Sequence, residues 1–91
     1  MWKLFQSTQF KKDLKKIENQ PEKVKALDAV LASLVDTGTV PPENKPHPLK
    51  GDLSGYMECH VQNDLLLIWY DSASEEIRLV RLGTHSELFK K

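Results

Sequence analysis

Residues 65–70 read Leu-Leu-Leu-Ile-Trp-Tyr, a run that is apolar on both faces of an extended chain. A strand of that kind belongs at the centre of a sheet, with a neighbour on each edge. The chain supplies suitable neighbours at residues 55–61 and 76–83. Turn-like Gln62-Asn63 and residues 72–75 join them to the central strand, which extends over residues 65–71. An aromatic and apolar opening segment, residues 2–6 (Trp-Lys-Leu-Phe-Gln), reads as a further short strand.

Between the opening strand and the rest lie two amphipathic stretches. Ser7 or Thr8 can cap the first by accepting a bond from a free backbone N–H. Phe10, Leu14 and Ile17 then form one apolar stripe, with Lys11, Lys12, Lys15 and Lys16 on the other sides. Asn19-Gln20-Pro21 ends this helix and starts the next, since proline is tolerated at a first helical position. Val24, Leu27, Leu31, Leu34 and Val35 give the second helix its stripe, and Gly38 suits its C-terminal cap. Two such helices form a hairpin that needs a sheet to cover. The expected fold is α/β in the broad α+β sense, with the hairpin on one face of a small, mainly antiparallel sheet. A chain of 91 residues is enough for one such core, so residues 1–91 are expected to form a single domain.

Alternation divides the sheet into two faces. Met57, Cys59 and Val61 point one way, and Tyr56, Glu58 and His60 the other. In the last strand Val80 and Leu82 are assigned to the core face, with Arg78 near its edge. Ile77, Leu79, Arg81, Gly83 and His85 are assigned opposite. Residues 38–52 hold four of the five prolines and read as a long loop, a kind of segment that is often functional.

The histidines, His47, His60 and His85, all lie in the C-terminal half, near Arg81, Asp64, Glu58, Lys45 and Lys50 in the sequence pattern. Imidazoles with an arginine suit phosphodiester cleavage by an internal nucleophile. One group takes the ribose 2′-hydroxyl proton, another protonates the departing 5′-oxygen, and a cation stabilises charge on the phosphate oxygens. Imidazole titrates near neutrality, and guanidinium holds a phosphate by two bonds. Each residue also has a structural alternative. His47 can bond its own loop, His60 can be a surface histidine, His85 can cap a helix, and Asp64 is a natural turn residue. Arg81 can pair with Glu58, Cys59 is a small core residue, and Trp69 and Tyr70 suit packing rather than base stacking. Zinc held by His47, His60 and His85 is a further alternative, although no local i, i+4 ligand pair is present.

The order of these residues is specific. Lys45-Pro46-His47-Pro48-Leu49-Lys50-Gly51, Glu58-Cys59-His60-Val61, Asp64-Leu65-Leu66-Leu67-Ile68 and Arg81-Leu82-Gly83-Thr84-His85-Ser86-Glu87-Leu88-Phe89 closely resemble the YafQ branch of the RelE toxins. The resemblance spans essentially the whole chain. It implies a RelE-like fold and the toxin of a type II toxin–antitoxin pair. Such a toxin is a metal-independent endoribonuclease that cuts mRNA in the ribosomal decoding site, uses no cofactor, and is restrained by a cognate antitoxin. Carried over by position, His47, His60, Asp64 and His85 are the principal catalytic set; within it we assign His85 as acid and Asp64 or His60 as base. Arg81 holds the phosphate, Glu58 is a secondary acid, and Phe89 positions a base or the terminal segment. A gyrase-directed toxin resembling ParE, or an antitoxin-binding protein without catalysis, are the alternatives from other classes.

Charge qualifies this picture. Relatives of this kind tend to be basic, whereas this chain is neutral. Residues 1–25, however, hold seven lysines against three acids, so a ribosome-facing field is expected from Lys11, Lys12, Lys15, Lys16, Lys23 and Lys25, with Lys90 and Lys91. No apolar run approaches the roughly 20 residues of a membrane span, and no signal-peptide pattern opens the sequence. Cys59 has no cysteine to pair with. The expected setting is therefore the cytoplasm.

Overall fold

A computed structural model describes residues 1–89 of the chain, so Lys90 and Lys91 lie outside the described residues. The first strand, β1 (Lys3–Gln6), leads into helix α1 (Thr8–Ile17). Ser7 is the N-cap of α1, its hydroxyl accepting from Phe10 N–H at 3.0 Å. Pro21 begins α2 (Pro21–Thr37) and disfavours helical geometry at Gln20, which separates the two helices. Gly38 then ends α2 in the left-handed region at φ 76°, its N–H bonded to Leu34 O. The chain continues through β2 (His47–Pro48), β3 (Met57–Gln62), β4 (Leu65–Ala73), β5 (Glu76–Gly83) and a short α3 (His85–Leu88).

The five strands form one sheet in the order β1-β5-β4-β3-β2. The doubly apolar β4 is central, as its sequence requires. Pairings β2–β3, β3–β4 and β4–β5 are antiparallel, and β1 runs parallel to β5. A parallel pair needs a long connection, and here the helix hairpin carries the chain from β1 at one edge of the sheet to β2 at the other, from which β3 and β4 lead back to β5. It carries Phe10, Ile17, Leu27, Val30 and Leu34 onto Cys59, Val61, Leu67, Trp69, Ile77, Leu79 and Leu82. Burying each leucine-sized side chain contributes about 1.5–3 kcal/mol. On α2 the fully buried stripe is Leu27, Val30 and Leu34, while Val24 and Leu31 are only partly buried against it.

Two expectations are corrected. Ile77 and Leu79 face the helices, and Val80 does not belong to their cluster. A β-bulge explains the change: Ile68 pairs with Arg81 but its neighbour Trp69 pairs with Leu79, leaving Val80 as the extra residue. The bulge switches the phase of β5, so Leu82 still reaches the core while Arg81 stays opposite Ile68. The second correction concerns residues 38–52. They are not a plain loop, for they include 3₁₀ turns at Pro42–Asn44 and Gly51–Leu53 and the edge strand β2 between them.

Candidate active site

The register across the sheet brings distant residues into two rows on the face away from the helices. One row runs His47, Glu58, Ile68, Arg81 through β2, β3, β4 and β5. The next runs His60, Leu66, Gly83. Rows of this kind stand two residues apart, about 6.7 Å along the strand. Leu66 and Ile68 are buried but separate from the helix-side cluster, so they make an apolar floor between the polar groups.

His85 enters at the end of this floor. Thr84 caps α3 by accepting from Glu87 N–H, and Glu87 returns the bond by accepting from Thr84 N–H at 2.9 Å. That box fixes the first turn, and therefore His85. Asp64 reaches it from the β3–β4 turn, where Asn63 takes a positive φ of 45°. Asp64 Oδ1 accepts from His85 Nδ1 at 2.7 Å and from its backbone N–H at 3.3 Å. With Nδ1 donating to the carboxylate, Nε2 is left toward solvent and available for proton transfer. The His85 hydrogen bonds, ring first and then backbone, hold the Asp64 carboxyl below its usual value. The His60 ring centroid lies 6.1 Å from that of His85, and the Phe89 ring centroid lies 6.2 Å from it. Asn44 donates to His60 O at 2.8 Å, tying the proline-rich segment to the strand that carries His60.

The second group is His47 with Glu58. The His47 imidazole donates from Nε2 to Glu58 Oε1 at 3.0 Å. Glu58 is 4% exposed, so it is a buried partner beneath His47 and not an open-face acid. Arg81 does not pair with Glu58. Its Nε–H donates to Asp13 Oδ2 at 2.9 Å and its Nη2 to Oδ1 at 3.4 Å. Asp13 sits 1% exposed on α1 and also accepts from Leu82 N–H at 2.9 Å and from Gln9 Nε2 at 3.1 Å. Burial alone would raise the Asp13 carboxyl, but the bonds from Arg81, Leu82 and Gln9 together bring it below its ordinary value. One edge of the Arg81 guanidinium is thus fixed, and its side chain remains 30% exposed. A planar cation held from behind can still meet an anion in front.

Residues 2–90 match the family described as the bacterial toxin of the type II toxin–antitoxin system, YafQ. The chain belongs to the YafQ toxin family. It is 34% identical over 84 residues to the mRNA interferase toxin YafQ of Escherichia coli strain K12, covering 91% of this chain and 90% of that protein. Its fold matches a metal-bound toxin from Helicobacter pylori at 41% identity and a TM-score of 0.84, over 98% of this chain and 100% of that one. It also matches the E. coli DinJ–YafQ complex structure at 30% identity and a TM-score of 0.83, over 98% and 99% of the respective chains.

Within this YafQ-family fold, His60, Asp64, His85 and Phe89 come together, and His47 with Glu58 stands one row away. Arg81 lies on the far side of the floor. Lys45 and Lys50 are exposed on the turns flanking β2, whereas Lys11, Lys12, Lys15 and Lys16 are exposed on α1. Lys16 approaches Glu87 at 3.7 Å. Among the described residues, no three His, Cys, Asp or Glu side chains are grouped to hold a metal ion. Cys59 is buried facing the helices, and burial, with Glu58 adding, pushes its thiol up to about 12. No helix among the described residues is long and apolar enough to cross a membrane.

Asp13 is the important residue that sequence reasoning passed over. A signal was present: Phe10, Asp13, Leu14 and Ile17 occupy one helical face, so an acid interrupts an apolar stripe. An acid in that position needs a buried cation or N–H partner.

Proposed function

We infer that the chain is a ribosome-dependent endoribonuclease that cleaves mRNA, and that its cognate antitoxin holds it inactive. The observation that carries this reading is the Asp64-supported His85 facing His60 across a 6.1 Å ring separation. Two imidazoles so placed can serve a phosphodiester lying between them. His60 accepts the proton of the ribose 2′-hydroxyl. The 2′-oxygen attacks the adjacent phosphorus, and the bond from phosphorus to the 5′-oxygen breaks. His85 gives its Nε2 proton to that leaving oxygen. The products are a 2′,3′-cyclic phosphate and a 5′-hydroxyl, and the two histidines end with exchanged protonation states.

Arg81, oriented by Asp13, stabilises charge on the non-bridging oxygens. Asp64 acts as the group that sets the His85 tautomer and orientation, which fits its two hydrogen bonds better than a role as base. His47, backed by Glu58, extends the polar rim, and Phe89 offers a ring to a neighbouring base. His47, Asp64 and His85 are largely exposed, so the site is an open surface. An open site gains positioning when a second surface closes over the RNA, and the ribosomal decoding site supplies one. Similarity to E. coli YafQ in both sequence and fold supports the same reading. The DinJ–YafQ relative supports an antitoxin partner. A substrate on translating ribosomes supports the cytoplasm as its setting.

The test is mRNA cleavage in a purified translation system, comparing the parent with His85→Ala at matched folding. Cuts within decoding-site codons by the parent alone are the expected result. An intact message with a folded parent would overturn the assignment.

A further inference from the structure

We propose that Tyr56, Tyr70 and Arg78 form a subsite for an unpaired RNA base, a proposal that rests on the endoribonuclease reading above. These residues make a third row on the site face, next to the row of His47, Glu58 and Arg81. Tyr56, immediately before β3, lies two residues from Glu58, and Tyr70 lies two from Ile68 on β4, which sets Tyr56 and Tyr70 beside the row of Glu58 and Ile68. Arg78 pairs in register with Tyr70 on one side and with Phe5 on the other.

The row borders a cavity of about 400 Å³, which Gln6 and Val80 also line. That volume falls within the range of small-molecule sites. Its chemistry suits a base. The Tyr56 and Tyr70 rings meet edge to face at 5.4 Å, a half-buried aromatic wall. The Arg78 guanidinium lies over the Phe5 ring, 4.4 Å from its centroid. Stacking on Phe5 fixes the guanidinium plane while Arg78 as a residue remains exposed. Arg78 forms no ion pair among the described residues, and neither tyrosine hydroxyl has a hydrogen-bond partner there. The β5 bulge at Val80 lies between this row and Arg81. Aromatic rings with an arginine are the usual platform for an unstacked base.

The test is binding to ribosomes programmed with an mRNA whose decoding codon carries 2′-O-methyl groups, so that no cleavage occurs. Tyr70→Ala and Arg78→Gln should each weaken binding roughly tenfold. Tyr70→Phe, which keeps the ring, should bind within about twofold of the parent and covers the case in which Tyr70→Ala fails to fold. Empty ribosomes form the second arm. A loss confined to programmed ribosomes assigns the base to mRNA, and an equal loss on both assigns it to ribosomal RNA. Either result supports the subsite. Cleavage of unmodified mRNA by the parent is followed in parallel. If the parent cleaves and the folded Arg78→Gln variant binds as the parent does, the subsite is overturned and the nuclease reading stands. If the parent neither binds nor cleaves, both fall.

Discussion

Replacing Asp13 by alanine removes one carboxylate that accepts from Arg81, Leu82 and Gln9. The three losses are unequal. The Leu82 N–H bond to Asp13 is buried, so leaving that donor unpaired costs about 1–3 kcal/mol. Arg81 is 30% exposed and can turn to water, so its share is less than about 1 kcal/mol. Gln9 is exposed and contributes little. The expected total is about 2–3 kcal/mol, which in a domain of this size lowers the melting temperature by roughly 10–20 °C. Asp13→Asn is a sharper companion. Its amide oxygen, at the Oδ2 position, can keep the bonds from Leu82 N–H and Arg81 Nε–H, but its amide nitrogen, at the Oδ1 position, faces Arg81 Nη2, and the negative charge opposite the guanidinium is gone. This variant should lose only about 1 kcal/mol of stability, yet cleave about tenfold more slowly, because an arginine held by one neutral hydrogen bond in place of a two-point ion pair meets the phosphate less often in register. Thermal denaturation and single-turnover cleavage on programmed ribosomes read the two effects separately. The sign with pH also follows. The folded carboxyl lies below its ordinary value of 3.8, so its stabilisation is whole above that value and is lost as pH falls through the folded one. An alanine variant that melts within about 2 °C of the parent would refute the reasoning on the fold. An asparagine variant with unchanged cleavage would refute the link to Arg81.

Other outcomes follow from the same structure. Gly38→Ala should destabilise the fold by about 2–4 kcal/mol in chemical denaturation, since the position is left-handed and a Cβ there would collide with the Trp2 ring. Asp64→Asn should lower the single-turnover rate about a hundredfold with little change in folding, because a neutral amide oxygen in place of the carboxylate no longer stabilises the charged His85 imidazolium that gives up its Nε2 proton. Because the Asp64 carboxyl is held below its usual value, its support of His85 in the parent should persist through mildly acidic pH and fail only as pH drops through that lowered value. Cys59, buried with its thiol raised to about 12, should resist alkylation at pH 8 in the folded protein and react once denatured.

The parts of the fold legible in the sequence are those governed by local chemistry. The doubly apolar β4, the Ser7 cap, the Pro21 start and the Gly38 stop all depend on neighbours a few residues away, and each stands where the pattern puts it. The site was legible to a different extent. The spacing of His60, Asp64 and His85 identifies a family, but their approach depends on a strand register and a helix-capping box formed between distant segments. The failures share that cause. A bulge at Val80 is invisible to alternation, which assumes that every residue of β5 advances the phase. Glu58 looked open because β2, the strand that lays His47 over it, has only two residues and no periodicity of its own. Asp13 and Arg81 are 68 positions apart, and no local rule pairs them.

The most direct test of the central claim is the chemistry of the cut ends. Programmed ribosomes are treated with the pure protein in excess chelator, and the mRNA fragments are analysed by mass spectrometry. The predicted products carry 2′,3′-cyclic phosphate, with its 3′-phosphate hydrolysis product, on one side and 5′-hydroxyl on the other, and they are absent with His85→Ala. Ends bearing 3′-hydroxyl and 5′-phosphate, or cleavage that disappears with the chelator, would contradict attack by the ribose 2′-oxygen between His60 and His85.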